Sequence, residues 1–219
     1  RTLKTEHSDT FIRHGVAISI VEKVSSYTNF ESLTKYVSVL RPFGFRGYFT
    51  EDVRFNSSDK GLIDPIICYG KGKKIGYVER SEITVRKEWI DRYKVYIPRA
   101  NNIGTELNDD NLNSFVGEPK TICTESYLVL GANLELDVTK AENLKKYLFT
   151  KFTRFQHSLA KASQDATSKT FQFVPLQDFT STSDIDWSQS VTDIDRQLYA
   201  KYGLSDEEVA FIEGMIKGM

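Results

Sequence analysis

Apolar and polar positions recur along this chain with two different periods, and those periods predict its elements. From Gly15 to Val21, β-branched residues stand at every second place (Val16, Ile18, Ile20), the spacing of a half-buried strand. Asn29 to Leu40 reads as a helix. It ends at Arg41-Pro42, because the residue before a proline is driven out of the helical region. Phe43-Gly44-Phe45-Arg46-Gly47-Tyr48-Phe49 follows as a turn rich in glycine and aromatic residues. Ile66 to Tyr69 and Ile75 to Val78 predict two strands of a hairpin, with Gly70-Lys71-Gly72-Lys73-Lys74 as a lysine-bearing tip. Tyr93 to Ile97 predicts a strand that stops at Pro98 and opens into Arg99-Ala100-Asn101-Asn102-Ile103-Gly104. Asn108 to Gly117 reads as an acidic loop, and Thr121 to Leu130 as the longest strand.

Helical spacing dominates the second half. Thr139 with Glu142 matches a capping box. Apolar residues then fall at Ala141, Leu144, Leu148, Phe152, Phe155, Leu159 and Ala162, which predicts one continuous helix with a single buried stripe. The neighbouring row, Tyr147, Lys151, Arg154, Ser158 and Lys161, sets three cations along one edge. Ser163 to Lys169 is a polar loop, and Phe171 to Val174 a short strand. Val191, Ile194, Leu198 and Tyr202 share a helical face that Gly203 closes as a left-handed stop. Ser205 and Glu208 form a second capping box ahead of Val209, Ile212 and Ile216. That helical pair is acidic and is therefore rejected as a DNA-reading helix-turn-helix. Together the elements predict an α/β (α+β) fold. A twisted, mostly antiparallel sheet with packed helices spans residues 1–175, and a C-terminal helical segment, 176–219, packs on it.

Composition bounds the class without choosing it. With 219 residues, 40% of them apolar, the chain can build a core without disulfides or metal. No apolar run reaches membrane-spanning length and no signal peptide is visible. Arg1 in place of an initiator Met suggests a start inside a longer protein. Cys68 and Cys123 each sit in apolar stretches and read as reduced core thiols, in keeping with the cytoplasm. Net charge is −1, but its distribution is uneven. Residues 41–99 hold 13 lysines and arginines against 8 acids, and residues 140–175 hold 7 against 2. Residues 100–139 hold 1 against 7, and residues 176–219 hold 3 against 9. A nucleic-acid site needs a local positive surface, not a basic whole. Charge blocks also arise as ordinary solvated faces.

Catalytic motifs are missing. The Gly70–Gly76 stretch lacks the Lys-Ser/Thr pair of a phosphate loop, since Tyr77 follows. His7, His14 and His157 have no metal-ligand spacing. Asp64 and the Glu79/Glu82 pair with Lys87 are the nearest approach to a nuclease cluster, a spacing that chance supplies in any charged chain. Asp64-Pro65-Ile66 lacks the second proline and the aromatic residue with which adenine methyltransferases hold their target. Residues suited to reading DNA are present. Arg pairs with guanine and Asn with adenine in the major groove, and Arg99, Asn101 and Asn102 cluster in one turn. Asn side chains serve equally to bond their own backbone in turns.

Several blocks carry a family likeness: Arg41-Pro42-Phe43-Gly44, Tyr93 to Asn102, Thr121 to Glu125, Phe155 to Lys161 with Ser163 to Thr167, Phe173 to Phe179, and Tyr202 to Glu208. They resemble the C-terminal region of bacterial type II adenine-specific DNA methyltransferases of restriction–modification systems, from about Phe30 to the end. The resemblance implies a target-recognition domain whose partners are double-stranded DNA and an upstream catalytic domain of the same polypeptide. The full-length protein would be the enzyme and would use S-adenosylmethionine; these residues would bind no cofactor and would not methylate alone. Phosphate contacts are expected from Lys71, Lys73 and Lys74 and from the edge Lys151, Arg154, Lys161. Base contacts are expected from loops 99–104 and 163–169, with Arg99, Asn101, Asn102 and Lys169 as candidates. Val174-Pro175-Leu176 after a helix and polar loop also resembles type I specificity subunits, which would make the chain one recognition half. The two short acidic helices at the end depart from that pattern. A fused endonuclease–methyltransferase shares the same region and stays open.

Overall fold

The computed structural model describes the backbone of residues 2–104 and 112–219, and the side chains of residues 14–104 and 112–219. Residues 108–111 of the acidic loop expected at Asn108 to Gly117 lie outside them, and its end, Phe115–Gly117, is a strand and not a loop. Helix α1 (Thr2–Ser25) takes the stretch whose alternation predicted a strand. Val16, Ile18 and Ile20 fit a period of two, but Val16, Ile20 and Val24 also fit a period of four. The longer period is the one used: Ile20 and Val24 are fully buried and Ile18 faces solvent. Nor is Asn29 to Leu40 a helix. One 3-10 turn, Leu33–Tyr36, is capped by Ser32, after which the chain runs extended. Ser38 donates its N–H to Val129 O at 2.8 Å, and its Oγ accepts the Val129 N–H at 2.9 Å. β-branched Val37 and Val39 favour this conformation, and an open strand edge claims the backbone.

Strands β1 (Pro65–Tyr69) and β2 (Ile75–Glu79) form the predicted hairpin. Strand β3 (Lys94–Pro98) follows, then β4 (Phe115–Gly117), β5 (Thr121–Cys123) and β6 (Tyr127–Leu130). The fold is mixed α/β with mostly antiparallel pairing, as expected, but the expected single sheet is two: β2-β1-β5 and β4-β3-β6. The long strand predicted at Thr121 to Leu130 is broken by a turn, with Tyr127 N–H on Thr124 O at 3.2 Å. Its first part joins β1 in parallel and its second pairs β3 antiparallel, so one segment links both sheets.

The β4-β3-β6 sheet divides two cores. Successive side chains of a strand point to opposite faces. Val95, Ile97, Leu128 and Leu130 enter the larger core with the helices, and Tyr96, Tyr127 and Val129 enter a smaller one with Phe43, Phe49, Ile66 and Ile122. Lys94 is also fully buried. Its Nζ lies 2.8 to 3.2 Å from four carbonyl oxygens, those of Trp89, Ile90, Arg92 and Glu118. Burial lowers its pKa to about 7, against a partial offset from Cys123 and Asp91. The carbonyls, which can only accept, favour the ammonium form.

The single helix predicted across Ala141 to Ala162 is two, α2 (Val138–Phe149) and α3 (Lys151–Ser158). Asp137, not Thr139, caps α2. Thr150 breaks the run by taking an extended conformation, and its Oγ1 accepts the Thr153 N–H at 3.1 Å. The next two orphan donors of α3, Lys151 N–H and Phe152 N–H, go to the buried carboxylate of Asp195 at 2.9 and 2.8 Å. The strand expected at Phe171 to Val174 is also absent. A 3-10 turn, Ser168–Phe171, leads to a single bridge between Pro175 and Ser32.

Helices α4 (Val191–Lys201) and α5 (Asp206–Met215) form as predicted, with Gly203 at φ +60° between them and the Ser205/Glu208 capping box complete. Glu208 also receives Ser19 Oγ at 2.7 Å and Lys23 Nζ at 2.6 Å, which ties α5 to α1. The larger core runs without interruption from Ile20 through Leu144 and Phe152 to Ile216, so no core boundary falls at residue 175. Cys68 and Cys123 are free and buried. Among the described residues, no helix is long and apolar enough to cross a membrane.

Burial raises the pKa of Asp195 to about 6, with the two backbone donors pulling the other way. A carboxyl whose folded pKa exceeds its unfolded value binds more protons folded, so its contribution to stability falls as pH rises from about 4 to about 6. Comparison with Asp195→Asn isolates that contribution. The stability difference between the two proteins is expected to shrink across this window by up to roughly 3 kcal/mol. Denaturant titrations at both pH values check it; a difference that stays constant means Asp195 titrates normally.

Candidate nucleic-acid interface

The hairpin between β1 and β2 turns through Gly70 to Lys74, closed by Gly70 N–H on Lys74 O at 2.8 Å. Gly72 and Lys73 both have positive φ, +68° and +62°; a lysine there is uncommon and mildly strained. The turn pushes Lys71, Lys73 and Lys74 into solvent, and among the described residues none of the three forms an ion pair. Strand β3 ends at Pro98 and delivers Arg99 beside this tip. Arg99 is held by its backbone: its N–H donates to Ser126 O at 2.9 Å, and its carbonyl accepts the Ala166 N–H at 2.6 Å.

Two adjoining grooves meet at Arg99. The larger, about 660 Å³, is lined by Tyr48, Lys71, Lys73, Arg99, Asn113 and Glu125, among others. The smaller, about 400 Å³, has Val39, Leu40 and Leu128 as an apolar wall and Arg99, Asp165 and Lys169 as its charged residues. Arg99 Nε lies 3.4 Å from Asp165 Oδ1, both side chains remaining partly exposed. Lys71 and Lys73 of the hairpin, Arg99 and Lys169, predicted from separate stretches of sequence, are thus brought to contiguous grooves, and Lys74 lines neither. Glu51 also lines the larger groove, so the surface is cationic but not uniformly so.

Other predicted site residues lie elsewhere. Asn101 is 5% exposed, and its Oδ1 accepts Lys161 Nζ at 2.5 Å. It clamps the turn after β3 to the segment after α3, as does Asn101 N–H on Gln164 O at 3.2 Å. Asn101 therefore builds the loop and does not present a base-reading edge. Asn102 is half-buried and engaged within the protein. The cationic edge Lys151, Arg154, Lys161 does not exist as a solvent-facing row. The break at Thr150 and the packing of α4 and α5 turn it inward. Arg154 is 3% exposed, and its guanidinium donates to Phe149 O at 3.1 Å and to Lys217 O at 2.9 Å. Lys151 pairs with Glu213 at 2.6 Å. The acidic tail thus takes up charge from the basic block 140–175.

One residue on the larger groove, Tyr48, and its exposed near neighbour Arg46 were missed in the sequence. Both come from the glycine- and aromatic-rich turn, whose density of aromatic residues was the available signal. Arg46 is exposed, and its charge helps hold the Glu125 carboxyl below its usual range, behind the Gly47 N–H and the Arg41 guanidinium. Glu125 accepts Gly47 N–H at 2.9 Å and Arg41 Nε at 3.0 Å, fixing this turn over the β5–β6 corner. Comparison of the chain with known protein families, characterised proteins and solved structures returns no match.

Proposed function

We propose that this chain is the DNA-reading region of an adenine-specific DNA methyltransferase of a restriction–modification system. The observation that carries the DNA-binding part is the convergence of Lys71 and Lys73, with Lys74 exposed next to them in the same turn, and of Arg99 and Lys169 on two adjoining grooves of a nearly neutral chain. Some other cations of the basic block 41–99 are spent internally, such as Arg80 on Asp64 and Asp91, and Arg54 on Asp52 and Glu82, while Lys60, Lys87 and Arg92 face solvent elsewhere. What supports the reading is the local concentration of cations at the grooves, as a phosphate-binding surface requires. Positive φ at Lys73 and Asn113, both on the larger groove, adds mild backbone strain of the kind that collects at functional sites. The methyltransferase part rests on the sequence resemblance. In that arrangement an upstream region of the same polypeptide would hold S-adenosylmethionine and the flipped adenine, while this chain positions the duplex and reads neighbouring bases.

In this arrangement the hairpin lysines position the duplex through its phosphates, which carry no sequence information. Arg99, fixed through its backbone and open at its side chain, reads a base edge, with guanine as its natural partner. Selection by this chain from a pool of randomised duplexes is therefore expected to recover a shared motif. Arg99→Ala is expected to relax one position of it and to cost about 1–3 kcal/mol on the preferred site. Recovery of unenriched sequence would contradict sequence-specific reading.

A further inference from the structure

Tyr48 is the exception among the aromatic residues of its turn. Phe43, Phe45 and Phe49 are buried, with Phe45 and Phe49 stacked at 4.0 Å, whereas Tyr48 is 68% exposed. Among the described residues its ring pairs with no other aromatic ring and its hydroxyl makes no hydrogen bond. Its backbone is nevertheless fixed on both sides. Gly47 N–H is held by Glu125, and Phe49 N–H donates to Arg46 O at 3.1 Å while the Phe49 ring anchors the turn in the smaller core. A lone exposed aromatic is ordinary in itself. This one stands on the wall of the larger groove, opposite Lys71 and Lys73 and near Arg99. A ring on a rigid turn loses little entropy when it is covered, and cations around it favour an anionic ligand with flat apolar faces. A nucleic acid has both.

We infer that Tyr48 is a base-contacting residue whose ring stacks on the face of a nucleobase exposed at a locally unstacked step of the bound duplex. The inference rests on the DNA-binding reading above. Within a regular duplex the base faces cover one another, so the ring can act only where a step is opened or a base is displaced. Arg46, exposed beside it, and the hairpin lysines would hold the phosphates flanking that step.

The test compares this chain with Tyr48→Ala and Tyr48→Phe on two duplexes, one fully paired and one carrying a single unpaired base, by fluorescence anisotropy at low salt. The unaltered chain is expected to bind the interrupted duplex more tightly. Tyr48→Ala should lose about 5- to 100-fold on that duplex and much of the preference, while Tyr48→Phe should keep both. Quenching of 2-aminopurine at the unpaired position should follow the same order. If Tyr48→Phe loses as much as Tyr48→Ala, the hydroxyl is bonding a phosphate and the stacking role is wrong. If Tyr48→Ala binds both duplexes like the unaltered chain, the inference fails while the DNA-binding reading stands. If the unaltered chain binds neither duplex, both fail together. Melting curves of the three proteins are expected to lie close together, because most of the side chain is open to solvent.

Discussion

Lys94→Ala is expected to destabilise the protein by about 3–5 kcal/mol, a loss on the order of 10 °C in melting temperature for a chain of this length. The ammonium is fully buried and serves four carbonyl oxygens from three separate places: the turn at Trp89 and Ile90, the residue Arg92, and Glu118 after β4. Removing it takes one donor from each acceptor, although Trp89 O, Ile90 O and Glu118 O keep Arg92 N–H, Lys120 N–H and Thr121 Oγ1, and it leaves a cavity besides. Lys94→Met refills most of the volume but restores no donor, so it should recover only part of the loss. The two variants thus separate packing from hydrogen bonding. The consequence reaches the grooves, because β3 runs directly from Lys94 to Arg99 and the turn it fixes supports the β4-β3-β6 sheet. Thermal melting of both variants checks this. Melting temperatures within a degree or two of the unaltered protein would mean that the carbonyls find other partners.

What could be read from the sequence was what short-range chemistry decides. The β1–β2 hairpin was legible because two apolar runs flank a glycine- and lysine-rich tip. The α4–α5 pair was legible because a glycine stop and a capping box mark its ends. The failures have one cause, tertiary contacts that outrank a local pattern. The 29–40 stretch has helical spacing, but Val129 offers Ser38 two backbone partners. The 141–162 stripe is continuous in sequence, but Thr150 and Asp195 together end one helix and start another. That break also hid the fate of Arg154, since no one-dimensional pattern reveals that two acidic helices will cover a basic edge. Thr121 to Leu130 reads as one long strand, yet three residues, Thr124, Glu125 and Ser126, turn it from one sheet into the other. Half of the candidate site followed the same logic. Lysines at a hairpin tip are exposed by construction, and Arg99 follows a strand end. Asn101 has the chemistry to read a base, but a 2.5 Å bond to Lys161 from a distant segment holds it inside. Tyr48 and Arg46 needed the converse information, that their neighbours Phe45 and Phe49 are buried and they are not.

The second large effect concerns the lysines, and it separates the two cationic groups that the sequence offered. Binding to duplex DNA releases counterions, so log K falls with log salt at about −0.9 per phosphate contact; near 0.1 M salt each contact is worth about tenfold. Lys71, Lys73 and Lys74 stand in solvent without an ion pair among the described residues, the first two on the groove, whereas Lys151 and Lys161 are bound to Glu213 and Asn101. The most direct measurement is the affinity of the unaltered chain, of Lys71→Ala/Lys73→Ala/Lys74→Ala and of Lys151→Ala/Lys161→Ala for one duplex across a salt series. The hairpin variant is expected to lose about three units of salt slope and on the order of 100- to 1,000-fold in affinity near 0.1 M salt, with unchanged melting temperature. The helix variant is expected to keep slope and affinity and to melt lower. A hairpin variant that binds as the unaltered chain does, with the helix variant losing the slope instead, would contradict the placement of the DNA on the grooves around Arg99.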